Sequence, residues 1–243
     1  MDLKKRFEDI VVYNEIPFVE LVQRKEVWNF LASLDKHIEV MKEYDQNSPY
    51  HCYDLLMHTA HVVDGIQPEG LSKEDFHDLR IAAFFHDIGK PSVRADKIID
   101  GVKYNSFHGH PIVSEQIAQG ILKRLGYKGE EYRRIRFFII AHDLFIDFKP
   151  KEYYENPNKH RHAILPKNIN RVIERTKGNY PDLHITIDDF EALTPLCEAD
   201  GAAHMEIIYN ADGSIKMTAK EMVNRAREVG KVIQELNRSY HEE

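Results

Sequence analysis

The chain has 243 residues, a formal net charge of −7 and a hydrophobic content of 42%. This composition suffices for a buried core, whereas the negative charge argues against a protein whose main task is to coat nucleic acid. No run approaches the ~20 apolar residues of a membrane span, and the two cysteines provide no disulfide framework. The charged first residues lack the apolar stretch of a secretory signal. We therefore expect a cytoplasmic protein that does not bind membranes.

Apolar residues recur with a helical period over most of the chain. Residues 18–44 predict one or two helices, and the next segments with this pattern are 54–66 and 75–88. Gly89 suits the position that follows a helix, and Pro91 cannot continue one. The helix over 75–88 is therefore expected to end at these two residues.

The second half of the chain is also mostly helical in pattern. A helix is predicted over 111–125, with proline in its first turn and Gly126 past its end. Segment 144–163 mixes proline, tyrosine and polar residues, which is typical either of a loop over a cleft or of a surface excursion. The remaining predictions are helices over 130–142, 167–176 and 219–238 and a β-hairpin over 205–218 around Asp212-Gly213.

Some ionisable residues fall on the apolar faces of the predicted helices. His58 follows Leu55 by three residues and precedes Val62 by four, so it points with them toward the core. Asp200 follows Leu196 by four residues on an apolar stripe. A carboxylate that faces a core is unfavourable by several kcal/mol unless a cation compensates it. The position of Asp200 therefore calls for a metal ion or an arginine.

The adjacent pair His86-Asp87 is the most informative feature, because an apolar run leads directly into it and Lys90 follows. Burial of these three groups is costly unless their charge is compensated. A divalent metal ion does this well, since imidazole nitrogen and carboxylate oxygen are both good ligands. The alternative is a helix end at which His86 and Asp87 only cap and solvate the turn before Gly89.

Four further segments extend this pattern. In chain order the five are 55–61 with His58, 81–91 with His86-Asp87, 107–111 with His110, 140–143 with His142, and 197–200 with Asp200. Together they resemble the HD superfamily of metal-dependent phosphohydrolases. The local sequences of these segments are similar to those in the HD domain of bacterial tRNA nucleotidyltransferases. The Gly-Ser and paired aspartates of a polymerase head are absent from the sequence, so polymerisation is not predicted.

The resemblance implies a set of metal ligands. One ion would be held by His58, His86, Asp87 and Asp200, and a second by His110 and His142 with Asp87 bridging. A nitrogen-rich set of this kind favours manganese, iron, nickel, cobalt or zinc, with magnesium as a further option. Lys90 would neutralise a phosphate oxygen and Arg94 would assist in binding substrate. Asp87 and Lys90 are thus the predicted catalytic residues.

The implied reaction is hydrolysis of a phosphate mono- or diester by a metal-activated water, with a nucleotide, a cyclic nucleotide phosphate or an RNA end as substrate. One alternative is a nucleotide-sensing module with little or no turnover. Another is a helical interaction protein in which the metal only fastens the core. We expect a small phosphate ester or nucleotide as the ligand and no stable nucleic-acid complex, and a homodimer stays open.

The resemblance covers about residues 50–205 and implies an all-α fold. We expect one domain over 1–243, in which helices within 1–48 precede this HD core and a hairpin and helix within 206–243 follow it. Arg133, Arg134 and Arg136 allow two interpretations. They form either a basic rim around a phosphate site or an ordinary solvated helix face.

Overall fold

The computed structural model describes residues 2–99, 101–210 and 213–242. Its N-terminal part contains α1 (Leu3–Val11), α2 (Phe18–Leu21), α3 (Lys25–Leu34) and α4 (Lys36–Met41). The one or two helices predicted over 18–44 are therefore three. The reason is local, because Arg24 and Asp35 adopt extended backbone conformations that interrupt the helical run.

Helices α5 (Leu55–Gly65) and α6 (Lys73–Phe85) confirm two predicted segments. Each begins at a side chain that caps it, since Asp54 and Ser72 accept hydrogen bonds from amides of their own first turns. Helix α6 ends before Gly89, as predicted, but it already ends at Phe85, and Gly89 is not its left-handed cap. Gly89 has a φ of −81°, in the right-handed region, and leads into a further short helix, α7 (Lys90–Val93), with Pro91 in its first turn.

An antiparallel hairpin of β1 (Ala95–Ile99) and β2 (Val102–Ser106) follows, and the sequence pattern did not predict it. The predicted helices after it are confirmed as α8 (His110–Leu125) and α9 (Gly129–Ala141). Helix α8 lies between Gly109 and Gly126, whose φ values of 82° and 94° lie in the left-handed region that glycine tolerates best.

The rest of the chain is irregular up to α10 (Pro166–Asn179), apart from short 3-10 turns at Lys151–Tyr153 and Pro157–Lys159. Next come α11 (Ile187–Ala202), the antiparallel pair β3 (Ile207–Tyr209) and β4 (Ile215–Thr218), and α12 (Ala219–Glu242). The hairpin predicted over 205–218 is confirmed, although Asp212 of its predicted turn lies outside the described residues. The all-α class is likewise confirmed.

Helices α5, α6, α9 and α11 bring the candidate site together. Helix α11 packs on α5, α9 and α12, while α9 packs on α6 and α8. Aromatic side chains fill the interior, with Phe84 and Phe85 of α6 against Phe7 and with Phe137 of α9 against Phe190 of α11. None of the helices in the described ranges has the length and apolar content that a bilayer span requires.

The arginines of α9 form neither a basic rim nor a solvated face. Each is mostly buried and pairs with acidic residues on other elements. Contacts between elements join Arg133 to Asp189 at 2.8 Å, Arg134 to Asp78 at 3.1 Å and Arg136 to Glu115 at 2.5 Å, and Arg134 makes a still shorter contact with Asp75. Both interpretations from the sequence were wrong, because partners this distant in sequence cannot be inferred from helical periodicity.

A partly buried histidine between α1 and α6 should make stability depend on pH. His77 Nδ1 lies 2.8 Å from Asp78 and its Nε2 lies 3.0 Å from Glu8. Burial lowers the pKa of His77, but the hydrogen bonds to Asp78 and Glu8 outweigh burial and raise this pKa above the usual value of 6.5. Burial also raises the pKa of Asp78, so both groups bind protons more tightly in the folded state.

The stability contributed by His77 is therefore complete below about pH 6.5 and is lost as the pH rises through the folded-state pKa. We expect the difference in unfolding free energy between wild type and His77→Gln to shrink by on the order of 1 kcal/mol between about pH 6 and pH 9. The effect is limited because the His77 side chain is partly exposed to solvent. Urea unfolding at both pH values measures this gap. His241→Gln, on exposed α12, serves as the control, and a gap independent of pH would contradict the role of His77.

Candidate metal centre

The six predicted ligands lie on five elements whose ends meet at one point. His58 lies within α5, His86 and Asp87 follow α6, and His110 opens α8. His142 follows α9, and Asp200 lies in the last turn of α11. His58, His86, Asp87 and His142 are buried, whereas His110 and Asp200 are partly exposed. The structure thus brings together residues that are up to 142 positions apart, from His58 to Asp200.

Asp87 lies at the centre of the group. On one side, its Oδ2 is 3.1 Å from His86 Nε2 and 3.3 Å from His58 Nε2. Asp200 Oδ1 completes this side at 3.1 Å from His58 Nε2 and 3.8 Å from His86 Nε2. Asp200 therefore faces the same two imidazole nitrogens as Asp87 Oδ2 does.

The other oxygen of Asp87 faces a second pair of histidines. Its Oδ1 is 2.9 Å from His110 Nε2 and 3.7 Å from His142 Nε2. The two Nε2 atoms are themselves 3.1 Å apart. The ligand atoms of Asp87, His110 and His142 lie close enough together to hold a metal ion, as do those of His58, His86 and Asp87.

Backbone carbonyls orient all four imidazoles in the same way. Each ring places Nδ1 near a carbonyl oxygen, so that Nδ1 carries the proton and the Nε2 lone pair points to the centre. The contacts are His86 to Ala83 and His142 to Ile139, both at 2.7 Å, His110 to Phe107 at 2.9 Å and His58 to Ala203 at 3.3 Å. This arrangement of the distal nitrogen is usual for histidines that bind metals.

The hydrogen-bonding groups at this centre fit a metal ion. The buried Nε2 atoms of His58 and His86 make no hydrogen bond in the described part of the chain, and neither carboxylate oxygen of Asp87 accepts one of good geometry. Lone pairs of His110 and His142 that face each other also repel unless a cation lies between them. Buried polar atoms without partners are costly, and a divalent cation would satisfy them together.

Both carboxylates are held in their ionised form. Burial alone would raise the pKa of Asp87, but the neighbouring His86, Lys90 and His110 keep it well below the usual value. Burial would also raise the pKa of Asp200, but His204 and His58 keep it well below the usual value. Each residue therefore presents a charged oxygen to a cation at neutral pH.

The two predicted substrate-binding cations have different surroundings. Lys90 is buried, and its Nζ lies 2.6 Å from Asp87 Oδ2, 2.9 Å from Gln46 Oε1 and 3.3 Å from His51 Nε2. Arg94 is exposed and donates a hydrogen bond of 3.0 Å to Asn105. Lys90 lines the cavity above Asp87, whereas Arg94 does not and reaches it only through Asn105.

Sequence reasoning missed two histidines of the site. The rings of His51 and His204 lie in contact beside His58, with centroids 4.5 Å apart and planes inclined by 36°. Burial lowers the pKa of both rings. The charge of Lys90 lowers the pKa of His51 further, whereas the neighbouring Asp200 partly opposes the effect of burial on His204. His204 follows Asp200 by one helical turn, a spacing that was visible in the sequence. His51 lies in a loop with no periodicity to indicate it.

A cavity of about 440 Å³ opens from the metal centre to solvent. Its floor includes Asp87, His110 and Asp200, and the unpredicted β1–β2 hairpin forms one wall. The segment after α9 contributes Ile146, Asp147 and Lys149 to the lining, so part of the region predicted as a loop over a cleft does border one. This volume falls in the range of pockets for small organic ligands.

Comparison with protein families supports this part of the site. The family model described as HD domain matches residues 50–165, slightly less than half of the chain. The matched segment contains five of the six candidate ligands and excludes Asp200. It supports the predicted likeness to the HD metal-dependent phosphohydrolases, a family whose members generally hydrolyse phosphate esters and bind divalent metals. No curated protein matches the chain, and the finer likeness to tRNA nucleotidyltransferases stays a prediction.

Proposed function

We propose that this protein, with its HD-domain segment, is a metal-dependent phosphohydrolase that cleaves a phosphate mono- or diester. The observation that carries the proposal is the position of Asp87, whose two oxygens face two separate groups of imidazole nitrogens. A buried carboxylate shared in this way suits a bridging ligand between two divalent ions. Nucleotides, cyclic nucleotide phosphates and RNA ends are the substrates that we propose.

We propose the following ligands for each of the two ions. His58, His86, Asp87 and Asp200 would hold one, and His110, His142 and Asp87 the other. Manganese, iron, nickel, cobalt and zinc suit these ligands, and magnesium is a further option. When bound, the metal would supply Lewis-acid activation of a water molecule and neutralisation of the phosphate charge.

The protein itself would contribute orientation and charge. Hydrogen bonds from Nδ1 to backbone carbonyls fix the histidine rings before any ligand arrives, which lowers the cost of reaching the reactive geometry. His110 and Asp200 retain exposed surface on the cavity side, so they are the ligands nearest to an incoming ester. Asp87 is buried beneath them and keeps its negative charge.

Lys90 would act in two ways. Its ammonium group neutralises Asp87 Oδ2 at 2.6 Å, and it lines the cavity, where a phosphate oxygen can replace Gln46 or His51 as an acceptor. Lysine suits such a role as a compact charge. Arg94 would assist by holding the amide of Asn105 at the cavity wall.

The test is hydrolysis of chromogenic substrates. Protein purified without chelator, supplied with manganese or nickel, is expected to cleave p-nitrophenyl phosphate or bis(p-nitrophenyl) phosphate. His86→Ala is expected to lower the rate by roughly 10³-fold, because a metal supplies several kcal/mol of transition-state stabilisation.

His61→Ala is the matched control, since His61 lies one turn from His58 on α5 and does not line the cavity. It is expected to keep the wild-type rate. Tight nucleotide binding without product would favour a sensing module instead. Equal rates in His86→Ala and wild type would refute the proposed centre.

A further inference from the structure

Three cationic residues lie together on the side of the cavity formed by the C-terminal part of the chain. Lys149, in the segment after α9, and Lys216, on β4, line the main cavity. Arg225, on α12, lines a smaller recess that shares His142, Asp200 and other walls with it. None of the three cations lies among the candidate metal ligands, so a separate role is open to them.

These cations lack the counter-ions that the buried arginines of α9 have. Within the described residues, no carboxylate oxygen lies within 4.0 Å of their charged nitrogens, although Lys149 and Arg225 are partly buried. Lys216 donates a hydrogen bond of 2.7 Å to the hydroxyl of Tyr50 and lies 4.9 Å from the centre of its ring. Arg225 donates a hydrogen bond of 3.6 Å to the sulfur of Met217. No carboxylate among the described residues thus forms an ion pair with any of them.

The three cations are also close enough to affect one another. Burial lowers the pKa of Lys149, and the charges of Arg225 and Lys216 lower it further, while Asp147 and Glu221 oppose this from beyond ion-pair distance. Like charges held together at a cavity wall are unfavourable. A bound anion would relieve this repulsion and would form charge-assisted hydrogen bonds with the lysines and the arginine.

The lining of the main cavity also has an apolar part. It includes Ile208, Met217 and Met222, together with the ring of Tyr50. Such a surface contacts the organic part of a ligand rather than a charged group. Asp143 and Asp147 also line the cavity, but neither carboxylate lies within 4.0 Å of the charged nitrogens of the three cations.

We infer that Lys149, Lys216 and Arg225 form a second anion site, and that the substrate is a phosphate ester with an additional phosphoryl group. This inference rests on the proposed function, in which the reacting phosphoryl group occupies the metal centre. The second phosphoryl group would be bound at the cations without reacting. The site would therefore determine which esters are chosen rather than how fast they are cleaved.

The test compares adenosine 3′,5′-bisphosphate with adenosine 5′-monophosphate on the full-length, metal-loaded protein. Calorimetric titration gives Kd and initial rates give KM. The double variant Lys149→Gln/Lys216→Gln is expected to weaken Kd and KM for the bisphosphate by at least about tenfold, as two charge-assisted contacts are lost. For the monophosphate, Kd, KM and kcat are expected to change by less than about threefold, since the metal centre is intact.

The control is Lys151→Gln/Lys220→Gln, which removes the same charge from two exposed lysines outside the cavity. This variant is expected to leave Kd and KM for both nucleotides unchanged. An equal loss for both nucleotides, or the same loss in the control, would overturn the anion site. If the protein hydrolyses neither nucleotide but the double variant still binds the bisphosphate selectively more weakly, the proposed function is refuted and the anion site is supported.

Discussion

Replacing Asp87 with asparagine is expected to abolish binding of both metal ions and to lower phosphohydrolase activity by roughly 10⁴-fold. Asparagine keeps the shape of the side chain but removes the charge that both groups of histidines face. Oδ2 lies beside His58 and His86, and Oδ1 lies beside His110 and His142. A single substitution therefore affects both halves of the centre.

Elemental analysis of protein purified without chelator measures the metal directly. Wild type is expected to contain two ions per chain, Asp87→Asn none, and His110→Ala one, because His110 serves only the Oδ1 side. Asp96→Asn is the control, since Asp96 is exposed on β1 and pairs with Lys103. Two ions retained in Asp87→Asn would contradict the bridging role. A single ion in wild type would assign His110 and His142 to substrate contact.

Part of the candidate site was predictable from local signals, whereas His110 and His142 were assigned through the family resemblance. His58 and Asp200 occupy apolar faces that helical spacing identifies, and His86-Asp87 follows an apolar run. The structure places these side chains within a few ångströms of one another. Helices α5, α8 and α9 were likewise readable from period and capping alone. Where the burial of a residue depends on its own helix, the local sequence was sufficient to predict it.

Features set by distant contacts were not predictable. The β1–β2 hairpin is mostly exposed, so its residues lack the alternation that a buried face imposes. The pairing of Arg133 with Asp189 joins residues on α9 and α11, and nothing in either helix indicates the other. His51 reaches the site from a loop, and only its contact with Lys90 and His58 reveals it.

Gly89 shows why a local rule failed at the centre of the site. Its position before Pro91 suggested a helix stop with a left-handed glycine. The observed φ of −81° needs no glycine. The glycine is required instead by close packing on α8, where its amide donates a hydrogen bond of 2.9 Å to Ser114 Oγ. That contact is between segments 25 residues apart and leaves no local pattern.

Gly89→Ala is accordingly expected to destabilise the protein by roughly 2–4 kcal/mol, because overpacking forces the backbone to move. A Cβ at this position would lie 2.5 Å from the amide nitrogen of Ser114 and 2.9 Å from the carbonyl oxygen of His110. Neither backbone atom can move without displacing the start of α8. His110 would then shift relative to Asp87, so activity should fall along with stability.

Urea unfolding and initial rates measured on the same preparations test both effects. Gly120→Ala provides the control within α8, where the nearest atom to a new Cβ is the flexible end of Arg124 at 3.6 Å. This change is expected to be neutral or to stabilise by up to about 1 kcal/mol, since alanine favours helix more than glycine does. Wild-type stability in Gly89→Ala would mean that α8 can move away from the turn after α6 at no cost, and His110 would then not be held rigidly against Asp87.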